Sequence, residues 1–130
     1  MLIVNSMTKK YNIILNTTTM CNYNCSYCSV IKDGRKMTNQ IKQDVVDFIY
    51  RNAEYIQTFK FFGWEPLLVF ESIKYIIDNT SQVLWKRFEI VTNTTVLSDE
   101  IGEYLERDFA DIFFSIDSEN IFDYDRVFAL

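Results

Sequence analysis

The sequence predicts an α/β fold of parallel βαβ units, and three observations predict it. Short apolar runs of strand character alternate with segments of helical periodicity along the chain. Polar residues collect where each strand-like run ends, as they do at the carboxyl ends of parallel strands that carry a site. Hydrophobic residues make up 48% and charged ones 24% of the 130 residues, enough apolar surface for one packed core and too much for a disordered chain.

The elements follow in order. Tyr11 to Asn16 reads as a strand, with Ile13, Ile14 and Leu15 as a buried run ending in Thr17-Thr18-Thr19. Thr38 or Asn39 can cap a helix whose apolar face is Ile41, Val45, Phe48 and Ile49. Phe59 to Phe62 forms a second strand, closed by Gly63 and Pro66, and Pro66 suits the first turn of the next helix, which turns Ile73, Ile76 and Ile77 inward. Phe88 to Thr92 is a third strand. Ser98 then starts a helix whose Asp99 and Glu100 favour its N-terminal dipole end. Asp111 to Asp117 is a fourth strand, and Tyr124 to Phe128 opens a fourth helix. Four strand ends thereby face one mouth: Thr17 to Thr19 with the cysteines, Gly63 to Glu65, Thr92 to Thr95, and Ser115 to Asp117.

Charge excludes some partners. With 18 acidic against 13 basic residues, the chain lacks the basic footprint of a nucleic-acid binder. No run approaches the ~20 apolar residues of a membrane span, and the first ten residues do not read as a signal peptide, so the expected setting is cytoplasmic, away from the membrane. There is no histidine, which removes imidazole bases and histidine-ligated metals.

The three cysteines stand within eight residues, as Cys21-Asn22-Tyr23-Asn24-Cys25-Ser26-Tyr27-Cys28. Three readings are open. Zinc wants four ligands, and without histidine only Asp33 or another carboxylate is at hand to complete the set. A disulfide with a spare thiol suits a reducing compartment poorly. An iron–sulfur cubane held by three cysteines leaves one iron open to substrate or cofactor.

The C-x3-C-x2-C spacing after a first strand, with Tyr27 before the last cysteine, resembles the radical S-adenosylmethionine (radical SAM) superfamily. Later segments match it in order. Phe61-Phe62-Gly63-Trp64-Glu65-Pro66-Leu67-Leu68 resembles the Gly-Gly-Glu-Pro segment, Val91-Thr92-Asn93 the Thr-Asn-Gly turn, and Phe114-Ser115-Ile116-Asp117 the fourth strand. Cys-Asn-x-x-Cys-x-Tyr-Cys and Glu-Pro-Leu-Leu are most similar to SPASM-type peptide-modifying and sulfatase-maturing enzymes.

The resemblance implies a parallel-sheet, TIM-like partial (βα)6 barrel. At about 30 residues per unit, six units need about 180 residues, so residues 1–130 are expected to be a single core domain of about four βα units, incomplete at its C-terminus. It implies that Cys21, Cys25 and Cys28 hold a [4Fe–4S] cluster, which reductively cleaves S-adenosylmethionine to a 5′-deoxyadenosyl radical for hydrogen abstraction, from a peptide or protein. Gly63, Trp64, Glu65 and Pro66 would meet the methionine amino group, and Tyr27 would lie by the adenine. Thr92, Asn93, Ser115 and Asp117 would meet ribose and carboxylate. The implied partners are a flavodoxin- or ferredoxin-type electron donor and a second chain completing the barrel.

Plainer readings stand beside these. Glu65 can satisfy amides at a helix start, Ser115 and Asp117 can end a strand, and Asn93-Thr94-Thr95 can be a simple turn. Trp64, Thr94 and Ser118 stand where the family often has glycine, so Trp64 demands a changed backbone angle or a reshaped pocket, or lends its ring to stacking. The alternative function is a truncated, non-catalytic cluster-binding or interaction protein.

Overall fold

The computed structural model describes residues 9–22 and 33–114. The elements run β1 (Tyr11–Asn16), α1 (Asn39–Asn52), β2 (Ile56–Phe62), α2 (Phe70–Leu84), β3 (Phe88–Thr92), α3 (Asp99–Asp108) and β4 (Phe109–Phe114). Single 3-10 turns, Ala53–Tyr55 and Pro66–Val69, lead into β2 and α2. All neighbouring strands are parallel, in the order β1-β2-β3-β4. The α/β parallel architecture is therefore as expected, and each helix is the crossover between two adjacent strands.

Local chemistry accounts for the helix starts. Thr38 Oγ1 accepts from Ile41 N at 3.2 Å, and Ser98 Oγ accepts from Ile101 N at 3.2 Å. Gln40–Asp44 and Gln43–Asp47 side-chain bonds, each four residues apart, support the outer face of α1. At the far end of α2, the Arg87 guanidinium donates to the carbonyls of Val83, Ala53 and Ile56, which closes the helix end over the start of β2. Sequence reading passed over Arg87, because its acceptors are backbone atoms as far as 34 positions away.

The core lies between the helices and one face of the sheet. Phe59, Phe61, Phe88, Ile90 and Phe109 meet Ile49, Ile73, Ile76, Ile77, Leu84 and Leu105 there, all buried. The Phe59 and Phe61 rings pack edge to face at 5.4 Å, and Phe61 lies 5.8 Å from Phe88. The opposite sheet face is polar along its middle. Thr58 Oγ1 donates to Asn12 Oδ1 at 2.8 Å, Lys60 Nζ lies 3.3 Å from Glu89 Oε2, and the same ammonium sits 4.7 Å over the Phe113 ring.

Four expectations need correction. The Ile13-Ile14-Leu15 run is not buried: β1 is an edge strand, so Ile13 and Leu15 are only partly covered, and Ile14, on the opposite face, is 63% exposed. β2 begins at Ile56, three residues before the Phe-Lys-Phe-Phe run, because its parallel pairing with β1 starts at Tyr11↔Ile56. β4 begins at Phe109, which pairs with Phe88 and buries its ring against the core. The face of α1 is turned: Val46 and Ile49 are buried, while Ile41 and Phe48 are 44% and 39% exposed. β1 is a sheet edge, so α1 covers it from one side, and Ile41, Val45 and Phe48 line a groove with Ile13 and Ile14. The end of the expected fourth strand, Ser115 to Asp117, and the fourth helix lie outside the described residues.

Candidate functional site

Three strand ends converge at one edge of the sheet. After β1, Thr17 N donates to Phe62 O at 2.8 Å, and the Thr17 hydroxyl donates to the same carbonyl at 2.8 Å. After β2, Trp64 N donates to Thr18 O at 3.1 Å and Glu65 N to Met20 O at 2.9 Å. The two chains thus run side by side past their strands, and the approach is tight at Gly63. Its φ is +135°, and a Cβ there would stand 2.8 Å from Thr18 O and 3.0 Å from Thr17 Oγ1. Only glycine fits both the angle and the space.

The glycine requirement therefore falls on Gly63, and Trp64 does not take a left-handed angle, which among the described non-glycine residues is confined to Lys86 and Thr94. Trp64 needs no special backbone. It is half-buried and lines a groove with Leu15, Asn16, Thr17, Arg35 and Met37. Its ring forms part of the wall of that groove.

Glu65 is wholly buried. Its Oε1 accepts from Thr92 Oγ1 at 2.5 Å and from Leu67 N at 3.2 Å, and its Oε2 accepts from Asn93 N at 2.7 Å. One carboxylate so caps the turn after β2 and pins it to the end of β3, following the rule that a buried charge needs donors around it. The plainer reading of Glu65 describes these contacts. Pro66 is buried at the first position of that turn.

After β3 the chain turns sharply. Thr92 Oγ1 accepts from Thr94 N at 3.1 Å, and Asn93 Oδ1 accepts from Thr95 N at 3.1 Å and from Thr95 Oγ1 at 2.7 Å. Thr94 has φ +69°, a left-handed angle that glycine adopts without cost. A β-branched residue is strained there. Thr94→Gly is expected to relieve that strain and raise stability by about 1 kcal/mol, net of glycine's unfolded-state entropy. Denaturant midpoints measure it, and a fall of similar size would refute the strain.

Cys21 opens the cysteine loop beside this turn. Asn93 Nδ2 donates to Asn22 Oδ1 at 3.0 Å and lies 3.9 Å from Cys21 Sγ, while Asn22 Nδ2 donates to Thr95 Oγ1 at 2.5 Å. The two flanks of the loop are tied together as well. Thr18 and Lys36 form an antiparallel bridge, Thr19 N donates to Arg35 O at 3.1 Å, and Thr18 Oγ1 donates to Arg35 O at 2.7 Å. The Thr19 hydroxyl donates to Asp33 Oδ1, and Arg35 Nε lies 2.9 Å from Asp33 Oδ2. These bonds, the Thr19 hydroxyl's foremost, hold the Asp33 carboxyl below its ordinary pKa. Asp33 is thus engaged at the base of the loop by Thr19 and Arg35.

Cys25, Cys28, Tyr27, Ser115 and Asp117 lie outside the described residues, as does Ser118. Among the described residues no group of three or more His, Cys, Asp or Glu side chains is placed to hold a metal. The donor chemistry at Cys21 nonetheless fits a cluster ligand, because ligating sulfurs accept N–H donors from the surrounding protein and Asn93 Nδ2 offers one. The roles not anticipated from the sequence are those of Asn22 and Arg35, and the pairing of Thr19 with Asp33 and of Thr95 with Asn22. The only local signal for them was the polar composition of the strand ends.

The comparison that decides the family is direct: the family model described as Radical SAM superfamily matches residues 15–127. The chain belongs to the radical SAM superfamily. It is similar to an uncharacterized protein of Methanocaldococcus jannaschii, 29% identical over 116 residues, spanning 86% of this chain and 40% of that protein. It is also similar to the radical SAM cyclopropyl synthase TigE of Paramaledivibacter caminithermalis, 29% identical over 128 residues, or 83% of this chain and 27% of TigE. Among solved structures, native anSMEcpe with bound AdoMet aligns with a TM-score of 0.64 at 22% identity, covering 81% of this radical SAM chain and 31% of that one. The same protein with AdoMet and the Cp18Cys peptide gives 0.66 at 19% identity, covering 84% and 32%. These structures share the fold, and this radical SAM chain spans less than half the length of each of the proteins named. Among its described residues, no helix is long and apolar enough to cross a membrane.

Proposed function

We propose that this chain belongs to a radical SAM enzyme, with Cys21, Cys25 and Cys28 holding a [4Fe–4S] cluster. The observation that carries the reading is the convergence of Cys21 with the Gly63–Pro66 and Thr92–Thr95 strand ends, tied by Asn93 and Glu65. When bound, the cluster supplies one electron to S-adenosylmethionine, whose cleavage yields the radical that takes hydrogen from substrate.

The chain's own residues prepare that mouth. Gly63 lets the backbone after β2 lie close against Thr18, and on this reading the strand-end carbonyls of the Gly63–Pro66 segment would meet the cationic amino group of S-adenosylmethionine. Glu65 acts through Thr92 and Asn93, fixing the rim rather than reaching outward. The side-chain bonds of Thr92 and Asn93 described above go to protein groups, so their part is to shape the rim, and Trp64 walls its β1 side. Tyr27, Ser115 and Asp117 complete the cofactor contacts on this reading.

A peptide or protein is the proposed substrate, supported by the similarity to anSMEcpe, whose structure holds a peptide beside AdoMet. The electron would come from a flavodoxin- or ferredoxin-type protein in the cytoplasm. A second chain completing the barrel is proposed because β1 and β4 are the edges of the described sheet. Trp64 and Thr94, which stand where the resemblance implies glycine, favour one second reading, a cluster-carrying protein without turnover. Anaerobic iron–sulfide reconstitution, then dithionite and S-adenosylmethionine, separates them: 5′-deoxyadenosine supports the enzyme, and a bound cluster without cleavage supports the second reading. In the same assay Cys25→Ala is expected to lose essentially all cluster iron, since two thiolates do not hold a cubane. Iron content equal to wild type would refute the ligand set.

A further inference from the structure

We propose that Asn93 is a positioning residue for the cysteine loop, holding Cys21 to the end of β3 and raising the reduction potential of the cluster bound through that thiolate. The inference rests on the cluster reading and goes beyond it, by giving Asn93 a task other than contact with S-adenosylmethionine.

The geometry leaves the Asn93 side chain little freedom. The residue is 8% exposed, and its backbone N–H is fixed by Glu65 Oε2 at 2.7 Å, itself on a fully buried carboxylate. Its Oδ1 receives two donors from Thr95, at 3.1 and 2.7 Å, and that settles which way the amide faces. Nδ2 is therefore turned toward the loop, 3.0 Å from Asn22 Oδ1 and 3.9 Å from Cys21 Sγ. Asn22 Nδ2 returns to Thr95 Oγ1 at 2.5 Å, closing a ring of bonds between segments about seventy positions apart. The left-handed angle at Thr94 lets Thr95 double back to complete it.

The consequence for a cluster is electrostatic. Reduction adds negative charge that is shared with the ligating sulfurs, and an N–H dipole aimed at a sulfur stabilises the reduced state more than the oxidised one. Asn93 therefore makes the cluster easier to reduce.

The test uses the reconstituted full chain and an EPR-monitored redox titration. Asn93→Ser stays neutral and keeps the backbone bond to Glu65 while removing Nδ2. At a fixed poise its ratio of reduced to oxidised cluster is expected to fall about threefold, which is about 28 mV at 59 mV per tenfold for a one-electron couple. Asn93→Asp keeps the shape and the acceptor for Thr95, adds negative charge, and is expected to fall further. A merely structural asparagine would change iron content or Tm and leave the midpoint unmoved, and that result overturns the proposal. Should both variants lose the cluster, pulsed EPR of reduced Asn93→Gln protein carrying side-chain 15N-glutamine decides, since the cysteine motif contains no glutamine: an amide nitrogen coupling supports the proposal, and no coupling, or loss of the cluster in this amide-retaining variant too, overturns it. Wild-type protein that takes up no iron would instead remove the cluster reading itself, a distinct outcome.

Discussion

Replacing Glu65 by alanine is expected to destabilise the chain by about 4 kcal/mol, a fall in Tm of roughly 10 °C or more. The size follows from what the substitution strands. The carboxylate is fully buried and receives the Leu67 and Asn93 amides and the Thr92 hydroxyl, so its loss leaves three donors without their acceptor in the interior. Each buried unsatisfied donor costs about 1–3 kcal/mol, and the three are not additive because they share one site. Glu65→Gln keeps the volume but presents an NH2 group to a site built of donors, and is expected to lose about half as much. Thermal unfolding measures both. An alanine variant within about 1 kcal/mol of wild type would show that water replaces the carboxylate and that Glu65 does not hold the rim.

Gly63→Ala is expected to cost about 3 kcal/mol, for two reasons that act together. A φ of +135° is a region L side chains rarely adopt, and the added Cβ would stand 2.8 Å from a backbone oxygen, Thr18 O, which has no flexible end to move. Relief would have to come from parting the segments after β1 and β2, and those segments carry Cys21 and Glu65. The variant should therefore lose cluster iron along with stability. Gly34→Ala is the control: Gly34 is also at positive φ, +74°, but its Cβ would meet nothing within 4 Å, so only the backbone strain of ~1 kcal/mol applies. Equal losses in the two variants would show that the close approach at Gly63 carries no weight.

Much of the fold was legible because its signals are local. β1 and β3 have the bounds that their apolar runs indicate, and Thr38 and Ser98 cap the helices they were expected to cap. The errors lie where tertiary placement overrides pattern. Ile41 and Phe48 fit the period of an inward face, yet α1 rides on an edge strand and covers the core with Val46 and Ile49. Ile56-Gln57-Thr58 carries no run of its own and becomes strand by pairing with β1.

The site divides in the same way. Gly63, Glu65, Thr92 and Asn93 were legible as a set of strand-end residues, and Thr94 does take the angle for which glycine is usual. Their partners were not legible. Glu65 and Asn93 are 28 positions apart, Asn93 and Cys21 are 72 apart, and no spacing rule in a sequence says which amide a carboxylate will accept. The left-handed angle in this segment lies at Gly63, one residue before Trp64.

The central claim is that the cysteine loop holds a cluster with one iron open to S-adenosylmethionine, and its most direct test is the EPR spectrum of the reduced, reconstituted chain with and without S-adenosylmethionine. Binding of an amino and a carboxylate group at that iron changes its ligand field, so the signal is expected to shift on addition, and Cys25→Ala is expected to give no signal. An unchanged spectrum at saturating S-adenosylmethionine would contradict the account.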